Sequence, residues 1–86
     1  MYELFVEEAA ERELSKLQKK NVAKYEHIKK KILQICENPY LGKPLKNVMK
    51  GKWRVHVAEH VLIYEINESA KSVKIIDYAH HDDAYK

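Results

Sequence analysis

The sequence predicts an α+β fold in the order β-α-α-β-β-β: an N-terminal strand, an antiparallel helical hairpin and a three-stranded antiparallel meander. Three observations predict it. Apolar residues recur at helical spacing from Val6 to Ile35. Both prolines and both glycines then fall within residues 38–51, which marks an irregular join. From Gly51 onward the apolar residues alternate with polar ones, the period of a half-buried strand. Eighty-six residues with 45% apolar content suffice for one core, so residues 1–86 are expected to form a single domain.

The elements follow in order. Tyr2 to Val6 is rich in β-preferring residues and reads as a short strand. From Glu7, the residues Val6, Ala10, Leu14 and Leu17 share one helical face. Glu7, Glu8 and Glu11 stand at its start and Lys16, Lys19 and Lys20 at its end, which complements the helix dipole. Asn21 breaks the pattern. A second helix runs from Val22 to about Glu37, with Tyr25, Ile28, Ile32 and Ile35 as its stripe and Leu33 and Cys36 widening it. The short join makes the pair a hairpin.

After the irregular segment, Gly51 to Tyr64 reads as two strands around a polar turn of Ala58, Glu59 and His60, the second continuing through Ile66. On the first, Trp53, Val55 and Val57 fall on one face and Lys52, Arg54 and His56 on the other. Residues 67–70 read as a turn, Ser72 to Tyr78 as the last strand, and AHHDDAYK as a tail.

The net charge of +3 hides a strong asymmetry. Residues 1–15 carry five Glu against one Arg. Residues 16–54 carry eleven Lys and one Arg against two Glu, and residues 55–86 carry six acids against three Lys. Such a central block suits a polyanion or an acidic protein segment; a solvated lysine-rich helix face is the alternative reading. Lys43, Lys46 and Lys50 extend the basic surface towards Lys52. The single cysteine, Cys36, excludes an intramolecular disulfide and reads as a packed small hydrophobe. With neither a signal-peptide pattern nor a run of about 18 apolar residues, a soluble cytoplasmic protein is expected.

The row Lys52, Arg54 and His56 has the composition needed to cleave a phosphodiester without metal. Fixed cations stabilise the charge that develops on phosphorus. His56, His60, His81 and Tyr85 are groups able to move protons. A merely solvated polar sheet face is the competing reading. His80, His81, Asp82 and Asp83 resemble metal ligands in type, but neighbours on an extended segment point apart, and no metal site is expected. Trp53 and Tyr64 read as core residues, leaving Tyr40 and Tyr85 to touch a ligand. Without a glycine-rich phosphate loop, a CxxC pair or a nucleophile elbow, no cofactor is expected.

Pro44-Leu45, Gly51-Lys52-Trp53-Arg54-Val55, Leu62-Ile63-Tyr64-Glu65-Ile66 and the ending His80 to Tyr85 together resemble the RelE/ParE toxin superfamily, above all its archaeal RelE members. The likeness covers essentially the whole chain. It implies the toxin of a type II toxin–antitoxin system: a ribosome-dependent endoribonuclease that cuts mRNA in the A site and so inhibits translation. It also implies a cognate RelB-like antitoxin, bound in a toxin–antitoxin hetero-oligomer. Lys52 and Arg54 would then meet phosphate and transition-state charge, and His56 and Tyr85 would move protons. Lys43, Lys46, Lys50 and His60 would contact RNA. The sequence departs from the family at two positions, where Val61 and His81 stand in place of arginines; a neutral histidine does not replace a guanidinium, which implies slow catalysis or chemistry retuned to histidine. ParE members, which poison DNA gyrase instead, and a fold retained as an antitoxin-binding co-repressor are the alternatives.

Overall fold

The computed structural model describes residues 1–80. They form strand β1 (Glu3–Val6), helices α1 (Glu8–Lys20) and α2 (Val22–Glu37), and strands β2 (Lys43–Pro44), β3 (Lys52–Val57), β4 (His60–Asn67) and β5 (Ser72–His80). Single 3-10 turns at Pro39–Leu41 and Asn47–Met49 shape the segment between α2 and β3. The fold class and the β3-β4-β5 meander are as the sequence predicts, in one five-stranded sheet of order β1-β5-β4-β3-β2.

Glu8 and Glu11 occupy the first turn of α1, and Lys19 and Lys20 its last, as the dipole favours. Asn21 stops α1 and starts α2: its side chain accepts the Lys24 backbone N–H at 3.1 Å, satisfying one of the new helix's orphan donors. Ala10 and Leu14 of α1 and Ile28, Ile32 and Ile35 of α2 pack on Val57, Leu62, Tyr64, Val73, Ile75 and Tyr78 of the sheet. Both helices therefore lie on one sheet face. Cys36 is buried at the end of α2, where burial pushes its thiol pKa up. Leu33 does not widen the buried stripe as expected; it is exposed.

Three features depart from the expected meander. β1 pairs with β5 in parallel, Glu3 opposite Ser72 and Val6 opposite Ile75. The whole helical hairpin lies between β1 and the rest of the sheet, a connection long enough to return the chain in the same direction. Lys43 and Pro44, expected in a loop, add an edge strand, opposite Arg54 and Trp53. An edge position is where a residue without an N–H is tolerated.

The third departure is a bulge. Tyr64 pairs with Ile75 but Ile63 with Asp77, leaving Ile76 as an extra residue on β5. Strict alternation would put Ile75 and Tyr78 on opposite faces. The bulge returns both to the helix side.

Tyr64, fully buried, fixes the loop that leads into β2. Its hydroxyl donates to the Pro39 carbonyl at 2.5 Å. Gly42 passes so close that an added Cβ would lie 2.4 Å from both the Tyr64 hydroxyl and the Arg54 carbonyl oxygen. Glycine is required there for space, not for an unusual φ.

Candidate anion site on the outer sheet face

Register defines what the face opposite the helices presents. On β3, Lys52, Arg54 and His56 point outward; opposite them on β4 stand Glu65, Ile63 and Val61. Beyond these on β5 lie Lys74, Asp77 and Ala79. On the other flank, Lys43 of β2 sits across from Arg54. The expected cationic row is thus assembled, with Lys43 added to it.

Its three β3 members already hold partners within the sheet. Lys52 Nζ lies 3.6 Å from Glu65 Oε1, a cross-strand pair between partly exposed groups contributing about 0.2–1 kcal/mol. Arg54 Nη1 contacts His56 Nε2, two residues along the same strand and on the same side. Arg54 is half-buried and His56 exposed. The guanidinium and the proton-carrying imidazole are therefore in direct contact.

Beside this row the face is aliphatic. Val61 is 0% and Ile63 2% exposed, although both described helices lie on the other side. β4 is buried on both faces from Val61 to Tyr64, a run the sequence shows as continuously apolar.

His60 does not join the row. The hairpin turn is Ala58-Glu59 alone, with Ala58 at φ +56° and Val57 paired with His60. Moving the turn by one residue exchanges the faces, so His60 lies on the helix side, its ring stacked on Tyr78 with centroids 4.8 Å apart. Lys46 and Lys50 are exposed in the loop around the second 3-10 turn. His81, Tyr85, Asp82 and Asp83 lie outside the described residues.

The central block of positive charge divides by layer. Its helical lysines, among them Lys29, Lys30 and Lys31, belong to the hairpin, across the sheet from Arg54. Lys43, Lys52 and Arg54 belong to the sheet. It is not one continuous patch.

A second polar cluster is invisible in the sequence because its members are far apart in the chain. The Glu68 carboxylate accepts from the Tyr2 hydroxyl at 2.7 Å, from the Tyr40 hydroxyl, and from Lys71 Nζ at 3.1 Å. The hydrogen bonds from Tyr40, then Tyr2 and Lys71, hold the Glu68 carboxyl down to about 2. The same bond, then burial, pushes Tyr40 up to about 12. Tyr40 also sets its ring edge against Trp53 at 5.3 Å. Tyr40 is exposed, as expected of a residue available to a ligand, and its hydroxyl also ties the loop before β2 to the β4–β5 turn.

A sequence profile described as "ParE toxin of type II toxin-antitoxin system, parDE" matches residues 4–85. The chain belongs to the RelE/ParE toxin superfamily. A Methanocaldococcus jannaschii protein whose name, RelE4, places it with the RelE toxins is 34% identical over 87 residues, covering 100% of this chain and 93% of the relative. The YoeB/ParE toxin from Agrobacterium tumefaciens superposes with a TM-score of 0.82 at 24% identity, over 92% of this chain and 98% of that one. A chain of the Escherichia coli RelBE toxin–antitoxin complex superposes at 0.78 with 22% identity, over 93% and 96%. This toxin is therefore the toxic half of a type II pair. At the position where the resemblance leads one to expect an arginine, it buries Val61 directly opposite His56. Among the described residues no helix is long and apolar enough to cross a membrane.

Proposed function

We propose that this toxin is a metal-independent endoribonuclease that cuts mRNA in the ribosomal A site and so halts translation in the cytoplasm. The observation that carries the reading is the contact between Arg54 and His56 on the outer face, flanked by Lys43 and Lys52. It places fixed positive charge beside a group that moves protons near neutral pH. His56 takes the proton of the ribose 2′-hydroxyl and the 2′-oxygen bonds to phosphorus. Arg54, with Lys43 and Lys52, stabilises the added charge. The P–O5′ bond breaks, and the leaving 5′-oxygen takes a proton from Tyr85 or from His81; Lys46 and Lys50 hold the flanking RNA backbone. His60, on the helix side, is left out of this assignment.

The cognate partner is a RelB-like antitoxin in a hetero-oligomer, as in the E. coli complex that shares the fold. Its acidic groups meet the lysines of α2.

Mapping cuts on a ribosome-bound message with wild type and Arg54→Ala tests the reading. A-site cuts from the wild type, lost in the variant, are expected; an intact message with the wild type refutes it. The ParE-type profile match and Val61 favour a second reading, a gyrase inhibitor that needs no cleavage. Blocked supercoiling with intact message would establish it.

A further inference from the structure

The outer sheet face is closed at one end and open at the other. Val61 and Ile63, opposite His56 and Arg54, are at most 2% exposed. On the same face β1 presents Phe5, which is 49% exposed. Register fixes its direction. Phe5 pairs with Lys74, Lys74 with Glu65 and Glu65 with Lys52, so the four form one row across β1, β5, β4 and β3. Among the described residues of these strands, Phe5 is the one Phe, Tyr or Trp on that side; Trp53, Tyr64 and Tyr78 pack towards the helices.

The core has no use for this ring. Tyr2 and Val6 of the same segment pack on the helix side. Phe5 keeps about half its surface in water on an edge strand, where an exposed apolar side chain invites self-association. It borders a cavity of about 450 Å³ whose other walls include Glu65, Asn67, Ser72 and Lys74. That is room for a small planar ligand.

We propose that this cavity is a nucleobase subsite, in which Phe5 stacks one base of an RNA strand whose phosphates are held at Lys52. It deepens the nuclease reading, on which the identity of the strand rests, by assigning a group that grips the message away from the bond that is cut.

Charge decides that the base enters and the phosphate stays out. Glu3 shares the outer side of β1 with Phe5, and Glu65 stands across Lys74 from it. Lys74 Nζ itself lies 3.3 Å from Glu7 Oε1. These carboxylates repel a phosphate, whereas a base is uncharged and brings a π-face to the ring. Asn67 supplies a polar contact. Its Oδ1 accepts the Ala70 backbone N–H at 3.1 Å, so its NH2 is the end left to donate to a keto oxygen or ring nitrogen. Distance agrees as well. Phe5 is three strand spacings from Lys52, roughly 14 Å, which is about four nucleotides at the 3.4 Å stacked rise and fewer in a stretched strand. Stacking accepts every base, so the subsite holds the message without dictating its sequence.

The test is fluorescence anisotropy with a short 2′-O-methyl RNA, which carries bases and phosphodiesters but no free 2′-hydroxyl to cleave. A strand of equal length with every base removed is the comparison. Wild type should bind the complete strand about 5- to 100-fold more tightly than the base-free one. Phe5→Ala should lose most of that preference, bind the base-free strand as wild type does, and keep the slope of log affinity against log salt, which counts phosphate contacts. Phe5→Leu, which keeps an apolar side chain without a ring, should behave as Phe5→Ala; Phe5→Trp should retain the preference. Equal binding of both strands by wild type, or a preference that survives Phe5→Leu, would overturn the proposal. Should Phe5→Ala fail to fold, the Phe5→Leu and Phe5→Trp pair decides. A ring-dependent preference beside an uncut ribosomal message leaves the subsite standing and removes the nuclease reading. A cut message with a preference indifferent to Phe5 does the reverse.

Discussion

Replacing Gly42 with alanine should destabilise this fold although only one methyl is added. The backbone at φ −80°, ψ −167° is one that alanine adopts readily, so conformational entropy alone would favour the change by about 0.4–1 kcal/mol. Packing reverses the sign. The new Cβ would stand 2.4 Å from the Arg54 carbonyl oxygen and 2.4 Å from the Tyr64 hydroxyl. Neither is the end of a flexible chain: one is backbone and the other belongs to a fully buried ring. Overpacking of this kind costs about 1–3 kcal/mol. Pushing the hydroxyl away also breaks its bond to the buried Pro39 carbonyl, which costs about 1–3 kcal/mol more.

The net expectation is a loss of about 2–4 kcal/mol. In a domain this small that is a Tm lower by roughly 10–30 °C. Urea unfolding of wild type, Gly42→Ala, Tyr64→Phe and the double variant forms a cycle. Tyr64→Phe removes one of the two obstructing atoms, so Gly42→Ala should cost at least about 1 kcal/mol less in that background. Gly42→Ala that is neutral, or equally costly in both backgrounds, would refute the reasoning.

Three further outcomes are expected. Arg54→Ala and, separately, Tyr85→Phe should each cut ribosome-dependent cleavage without unfolding the domain. Losing the Arg54 charge should cost about 10²–10³ in rate, and wild-type rates in both variants would move the site elsewhere. Glu65→Gln should lower stability by less than about 1 kcal/mol while freeing Lys52, so oligonucleotide affinity should rise and weaken more steeply with salt; unchanged affinity in a fluorescence-anisotropy titration would show that Lys52 lies outside the site. The Glu68 cluster should impose a pH dependence on stability. Because its folded pKa is depressed to about 2 from 4.5, its contribution is complete above pH 4.5 and disappears as pH falls towards 2. For Tyr40, raised from 10 to about 12, the contribution is complete below pH 10 and disappears between pH 10 and 12. Glu68→Gln should flatten the acid limb in pH-dependent urea denaturation, and an unchanged limb would contradict the assignment.

How far the sequence reveals this molecule depends on the range of the interaction concerned. The helices were legible because their signals are local: acids and lysines at opposite ends of α1, and Asn21 stopping one helix while capping the next. Alternation along β3 separated Trp53, Val55 and Val57 from Lys52, Arg54 and His56. The limits appear where one residue of register decides the outcome. Counting His60 into the turn placed it beside the cations, whereas a two-residue turn sends it to the helix side. The bulge at Ile76 is a similar one-residue event, which lets Ile75 and Tyr78 enter the same core. Longest in range, the pairing of β1 with β5 and the meeting of Tyr2, Tyr40 and Glu68 have no local signature. Lys52 reads as an available cation until its cross-strand neighbour Glu65 is known.

Cys36 gives the experimenter a clock. Its thiol is sealed at the end of α2, where the adjoining chain is held by the bond from the Tyr2 backbone N–H to the Cys36 carbonyl at 2.8 Å. Burial that keeps it protonated also keeps it from thiol-directed dyes, so each labelled molecule records one opening of the chain. With one sulfhydryl per chain, the labelling rate follows a single site without added tags or mutations.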